Sequence, residues 1–181
     1  MTKLSRLALF SLALLFAIPS QSSSATGVEI GTLFGGSHIS LDGEGITSIS
    51  LPGSFTPSLP VLYVSWFPGE KVAFGPEFSF GRTSVDGESL STLVAGAQVA
   101  FFLQSNVMSG PYVLGQGSLL LASVEGESDS NFIFGAGMGY QSLVGPAVFR
   151  IEGRYRRWVK HGGANEIMFI LGLGVRFGAD K

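Results

Sequence analysis

Residues 165–177 read Asn-Glu-Ile-Met-Phe-Ile-Leu-Gly-Leu-Gly-Val-Arg-Phe. The odd positions hold Ile167, Phe169, Leu171, Leu173, Val175 and Phe177, and the even ones Glu166, Met168, Ile170, Gly172, Gly174 and Arg176. This is a period of two. In a strand it puts one apolar face against one mixed face, whereas a helix would scatter both sets around its cylinder. The stretch is long for a soluble strand and fits one crossing a bilayer at a tilt, which needs about 9–11 residues in the hydrocarbon. It is read as the closing strand of a membrane barrel.

The composition agrees with that reading. Charged residues are 13% of the chain against a usual ~25%, and Gly is 26 of 181 residues, about twice its usual share. Mean hydropathy is +0.39, yet beyond Ile18 no apolar run is long enough for a spanning helix, which needs about 20 residues. A lipid-facing surface spread over alternate strand positions reconciles the two facts. No cysteine is present, so disulfides, thiolate catalysis and a lipoprotein anchor are excluded.

Residues 1–25 read as a cleaved signal peptide, leaving 26–181 as the barrel domain. Lys3 and Arg6 form the basic head, Leu7–Ile18 the apolar run, and Ser23-Ser24-Ala25 the small-residue tail. Without Lys3 and Arg6, nine of the eleven basic residues remain against thirteen acidic ones, a formal charge of about −4. Nucleic acid is therefore not an expected partner.

Working back from the closing strand, the pattern predicts eight antiparallel strands: Val28–Ser37, Leu59–Phe67, Lys71–Thr83, Leu90–Leu103, Pro111–Val124, Asn131–Gln141, Pro146–Val159 and the last one. The second is apolar on both faces, so its register stays open. Pro76 predicts a bulge or a missing ladder bond in the third. Val85-Asp86-Gly87-Glu88-Ser89 and Val124-Glu125-Gly126-Glu127-Ser128 repeat one hairpin. Carrying the register across turns Gln116 and Ser118 inward and Val113, Leu119 and Leu121 outward.

Short turns are expected at Pro68–Glu70, Gln104–Gly110 and Leu143–Gly145. Longer loops are expected on the far side at His38–Pro57, Ser84–Ser89, Glu125–Ser130 and Lys160–Ala164. Aromatic belts are expected from Trp66, Phe67, Phe101, Tyr112, Tyr140 and Phe177 at the near end, and from Phe34, Phe80, Phe132 and Trp158 at the far end.

An export signal, eight glycine-rich alternating strands and the ending Gly172-Leu173-Gly174-Val175-Arg176-Phe177 resemble the small outer-membrane β-barrel family, the porin-like OmpA/OmpX type of eight-stranded transmembrane barrel. That resemblance implies an all-β, up-and-down antiparallel barrel in the outer membrane of the cell envelope. It also implies lipid and lipopolysaccharide as surroundings and insertion by the barrel-assembly machinery. Gly172, Val175 and Phe177 match the family's terminal assembly signal. Ile170 and the four residues after Phe177 depart from it.

Within this frame the even positions of the seventh strand decide the interior. Arg150, Glu152, Arg154 and Arg156 would cost about 2–4 kcal/mol per Arg if they faced lipid near the midplane, so they are placed inside. Arg157 is the exception, expected at the interface. Inward acids Glu29, Glu77, Glu152 and Glu166 then balance inward bases Arg150, Arg154, Arg156 and Arg176. Glu29 is expected beside Arg176, Glu152 between Arg150 and Arg154, and Glu166 near Arg156. An eight-stranded barrel is just wide enough for side chains to fill, and unpaired charges there carry a large desolvation cost.

The expected function is a structural or surface-contact role for a monomer without cofactor or metal. A narrow porin-like channel and an outer-membrane lipid-modifying enzyme are the alternatives. His161 has no hydroxyl neighbour in sequence, while His38 lies near Ser37 and Ser40. The acidic turns, from Asp42 to Asp129, read as solvated hairpin connections, with divalent-ion binding as the other reading.

Overall fold

The computed structural model describes residues 27–41, 44–50, 62–69, 71–85, 88–104, 109–124, 127–160 and 163–178. The expected signal peptide and His161 lie outside them. Nine strands are described: β1 (Gly27–Leu41), β2 (Glu44–Ser50), β3 (Leu62–Phe67), β4 (Val72–Val85), β5 (Glu88–Phe102), β6 (Gly110–Val124), β7 (Glu127–Val144), β8 (Ala147–Trp158) and β9 (Asn165–Phe177). All pairings are antiparallel between neighbours. The first and last strands close the cylinder from Val28↔Phe177 to Ser40↔Asn165.

Nine strands make eight staves. Along the same edge of β1, β3 pairs with the inner half, Gly27↔Phe67 to Thr32↔Leu62, and β2 with the outer half, Gly35↔Ser50 to Leu41↔Glu44. They form one stave interrupted by residues 51–61.

The alternation in sequence becomes alternation in space. The outward residues of β9 are exposed, Ile167 and Phe169 more than half so, while Met168 and Ile170 are fully buried in the lumen. The ambiguous strand is resolved: Tyr63, Ser65 and Phe67 point in, Leu62 points out, and Val64 and Trp66 share its face. Gln116 and Ser118 are buried, as the hairpin repeat implied.

Pro76 makes no bulge. The β4–β5 register runs unbroken through Pro76↔Ala97. The β3–β4 ladder pairs at Tyr63↔Glu77 and Trp66↔Phe74 and skips the two positions between, where proline has no N–H to give.

Two expectations need correction. Three of the four expected far-side loops are extended hairpins, because strands continue to within two residues of one another at 42–43, 86–87 and 125–126, while Lys160–Ala164 falls between the end of β8 at Trp158 and the start of β9 at Asn165. Asp-Gly or Glu-Gly occupies each of the three hairpin connections, the chemistry of a two-residue turn. Ordinary strand residues flanking them therefore pair rather than loop. In the aromatic belts, Phe67 and Tyr112 face the lumen, and Trp158 is partly buried against Val94, Leu120 and Ile133. Each sits on the inward parity of its strand, which proximity to a strand end cannot override. Trp66, Phe101, Tyr140, Phe177, Phe34, Phe80 and Phe132 keep the outward parity.

Candidate functional site: the charged lumen

The lumen is filled in layers. At the turn end, Phe67, Ala73, Ala100, Phe102, Tyr112 and Leu114 form an apolar floor. Further out, two smaller apolar groups pack, Leu33 with Tyr63, Met168 and Ile170, and Val94 with Leu120 and Ile133. The charged side chains lie between and beyond these layers.

Glu29 on β1 meets Arg176 on the adjacent β9, with Nη2 2.7 Å and Nε 3.2 Å from Oε2. Its other oxygen accepts from Arg150 Nη2 at 2.6 Å and from the Tyr63 hydroxyl at 2.8 Å. Arg150 reaches Glu152 at 3.7 Å. Glu152 accepts from Arg154 Nε at 2.6 Å and from the Tyr112 hydroxyl. Arg154 extends across the lumen to Glu77 on β4, at 2.8 and 3.0 Å, and donates to Gln116 Oε1 at 2.5 Å. Arg176, Glu29, Arg150, Glu152, Arg154 and Glu77 thus form one chain of three cations and three anions. Towards the outer end Arg156 and Glu166 make a separate pair, 2.6 and 3.0 Å, and Trp158 Nε1 donates to the same carboxylate oxygen at 3.2 Å.

All eight inward charges named from sequence are buried, Arg154 at 2% exposure and Arg156 at 0%. The three pairings written for them are present. Sequence reasoning did not place Glu77 against Arg154 or see that Arg150 also binds Glu29. The register turned Gln116 inward without naming its bond to Arg154, and Gln98, Tyr63 and Tyr112 were not named as partners. Tyr112 shares the inward parity of its strand, which parity alone could have shown.

The tyrosines have a double role. The Arg150 guanidinium carbon lies 4.5 Å from the Tyr63 ring centroid and 5.9 Å from that of Tyr112, so each ring faces the cation while its hydroxyl serves a carboxylate. Arg176 stacks likewise over Phe67 at 3.8 Å.

Space for these long side chains comes from a glycine stripe on β7. An ideal Cβ at Gly135 would meet Arg156 Cγ at 2.7 Å, one at Gly137 would meet Arg154 Cγ at 3.0 Å, and one at Gly139 would meet the Tyr112 ring at 2.7 Å. Gly31 and Gly174 open the same kind of room for the Tyr63 hydroxyl. The glycines that look like weak strand formers are therefore the seats of the arginine stems.

Elsewhere, His38 is exposed on the outer hairpin, its Nδ1 2.8 Å from Thr47 Oγ1 rather than set against a serine. Among the described residues no group of three or more His, Cys, Asp or Glu is placed to hold a metal ion. Gly172, Val175 and Phe177 of the closing strand pair with Leu33, Ile30 and Val28 of β1, so the expected assembly signal is also the seam of the cylinder.

No protein-family model matches the chain, and no curated protein matches it. Among solved structures it is similar to Neisserial surface protein A (NspA), at 14% identity and TM-score 0.58, covering 86% of this chain and 100% of that one. It is also similar to Ail, the attachment invasion locus protein of Yersinia pestis, at 19% identity and TM-score 0.44, covering 83% and 97%. The fold is a closed, eight-stranded, antiparallel barrel of the outer-membrane type.

Proposed function

We propose that the protein is a monomeric outer-membrane barrel whose lumen is sealed by its own ion pairs, with a structural or surface-contact role in the envelope rather than transport or catalysis. The supporting observation is the six-membered charge chain. It runs from the seam between first and last strands to β4 on the other side of the lumen, with no charge in it left unmatched. An apolar floor lies beneath it. A water-filled route would need fixed charges solvated along its wall, and here they solvate one another.

Planar-bilayer recording tests the seal. The intact barrel is expected to leave the bilayer at baseline, and discrete, reproducible single-channel steps would replace this reading with the narrow channel. Location is tested by fractionation with a heat-modifiability gel: an outer-membrane band that shifts on boiling supports the barrel in its membrane, and a freely soluble protein defeats it. Insertion is proposed to depend on the barrel-assembly machinery reading Gly172, Val175 and Phe177. Phe177→Ser should then lower the assembled fraction in cells severalfold while leaving refolding into detergent intact, and equal loss in both would assign the residue to stability alone.

A further inference from the structure

Five arginines have described side chains, and they divide sharply. Arg150, Arg154, Arg156 and Arg176 face the lumen, each against a carboxylate. Arg157 faces outward and is exposed, and its described partner is neutral: Nη1 donates to Asn165 Oδ1 at 3.1 Å. The Tyr155 hydroxyl donates to that same oxygen at 2.6 Å, so guanidinium and phenol are held side by side. The β8–β9 connection leaves room for them, because a Cβ at Gly163 would lie 2.8 Å from Arg157 Nη2, and Gly163 has φ +80°. Asn165 engages one of the guanidinium's five N–H donors, and among the described residues no other hydrogen-bond partner of the Arg157 guanidinium is present.

Surroundings identify what would use them. Arg157 is opposite Phe134 on β7, and Tyr155 is opposite Ile167 on β9, both apolar side chains more than half exposed. Just beyond, the surface turns polar: Lys160 Nζ lies 3.6 Å from Asp129 and 3.4 Å from Ser130 Oγ, with Lys160 and Asp129 about half exposed. A cation fixed where an apolar wall ends calls for a ligand that is greasy below and anionic above. Guanidinium matches phosphate oxygens with two parallel charge-assisted bonds, and the amide N–H group of Asn165, whose oxygen already accepts from Arg157 and Tyr155, can add a third.

We propose that Arg157, held by Asn165 and flanked by Tyr155, binds the phosphate of an anionic lipid headgroup in the outer leaflet. Free phosphate fits less well, since it has no use for Phe134 or Ile167. The proposal rests on the membrane reading above, and its failure is separable from the failure of that reading.

Native mass spectrometry of the detergent-solubilised barrel, mixed with bisphosphorylated lipid A or with the same lipid stripped of phosphate, tests it. The intact protein is expected to retain the phosphorylated lipid and release the stripped one. Arg157→Gln should lower retention about tenfold, and Arg157→Lys, which keeps charge but loses the planar fork, about threefold. Both variants are first checked by the heat-modifiability gel, and Arg157→Lys carries the test if Arg157→Gln does not fold. Equal retention by the variants and the parent, or equal retention of the stripped lipid, overturns the site while a heat-shifted band leaves the barrel standing. Displacement of the lipid by millimolar inorganic phosphate overturns the lipid as occupant.

Discussion

At the residue scale the lumen distinguishes losing one charge from losing a pair. Arg154 stands between Glu77 and Glu152, so Arg154→Met leaves two buried carboxylates short of their cation. The expected cost is about 3–5 kcal/mol, read as a lower urea midpoint for the barrel refolded in lipid vesicles. Arg156 and Glu166 are a buried ion pair, and Arg156→Met with Glu166→Leu should cost less than the sum of the single changes. A double-mutant cycle measures the difference, and additivity would show that the pair is not coupled. The glycines sort in the same way. Gly137→Val drives a side chain into the Gly153 carbonyl oxygen, 2.5 Å from an ideal Cβ, and into Arg154 Cγ at 3.0 Å, and should cost about 1–3 kcal/mol or more, whereas Gly153, with nothing near its missing Cβ, should accept Ala with little change or a slight gain.

At the element scale, β9 carries the argument in one strand. Leu171 faces outward between Ile151 and Phe34, far from either strand end. Leu171→Arg should cost about 2–4 kcal/mol in a bilayer, and Phe177→Arg at the rim about 0–1, compared by urea titration in vesicles. Equal penalties would mean that the outer face is not graded by depth. This face was legible in sequence because a period of two is a direct image of the pleat, and it also assigned the eight buried charges of the described lumen. The second stave was not, since Leu62 to Phe67 is apolar on both parities and only pairing with β1 picks one. The hairpins were misjudged for a different reason. Polar composition marks the water-exposed end of a strand as readily as a loop, and it does not say how far pairing continues.

At the scale of the whole molecule, the charge balance was legible as a count, four acids against four bases, and largely illegible as a network. Arg154 and Glu77 lie on β8 and β4, on opposite sides of the lumen, and nothing local in either strand announces the other. Burial of the chain makes a further expectation: the unfolding midpoint of the refolded barrel should move little between low and high salt, because ions screen exposed charges and scarcely reach pairs inside the wall. A strong salt dependence would place the stabilising charges on the surface instead.

Glu29 and Arg176 are 147 positions apart in the chain and adjacent in space. Their encounter therefore waits until the polypeptide's two extremities have met. On the membrane reading proposed above, a partial sheet holding β1 without β9, or β9 without β1, would present a naked carboxylate or guanidinium to hydrocarbon, so completion of the circle is the committing event. The seam acts as a latch: the same contact that joins head to tail cancels the charges that would otherwise forbid the intermediate from lingering in oil.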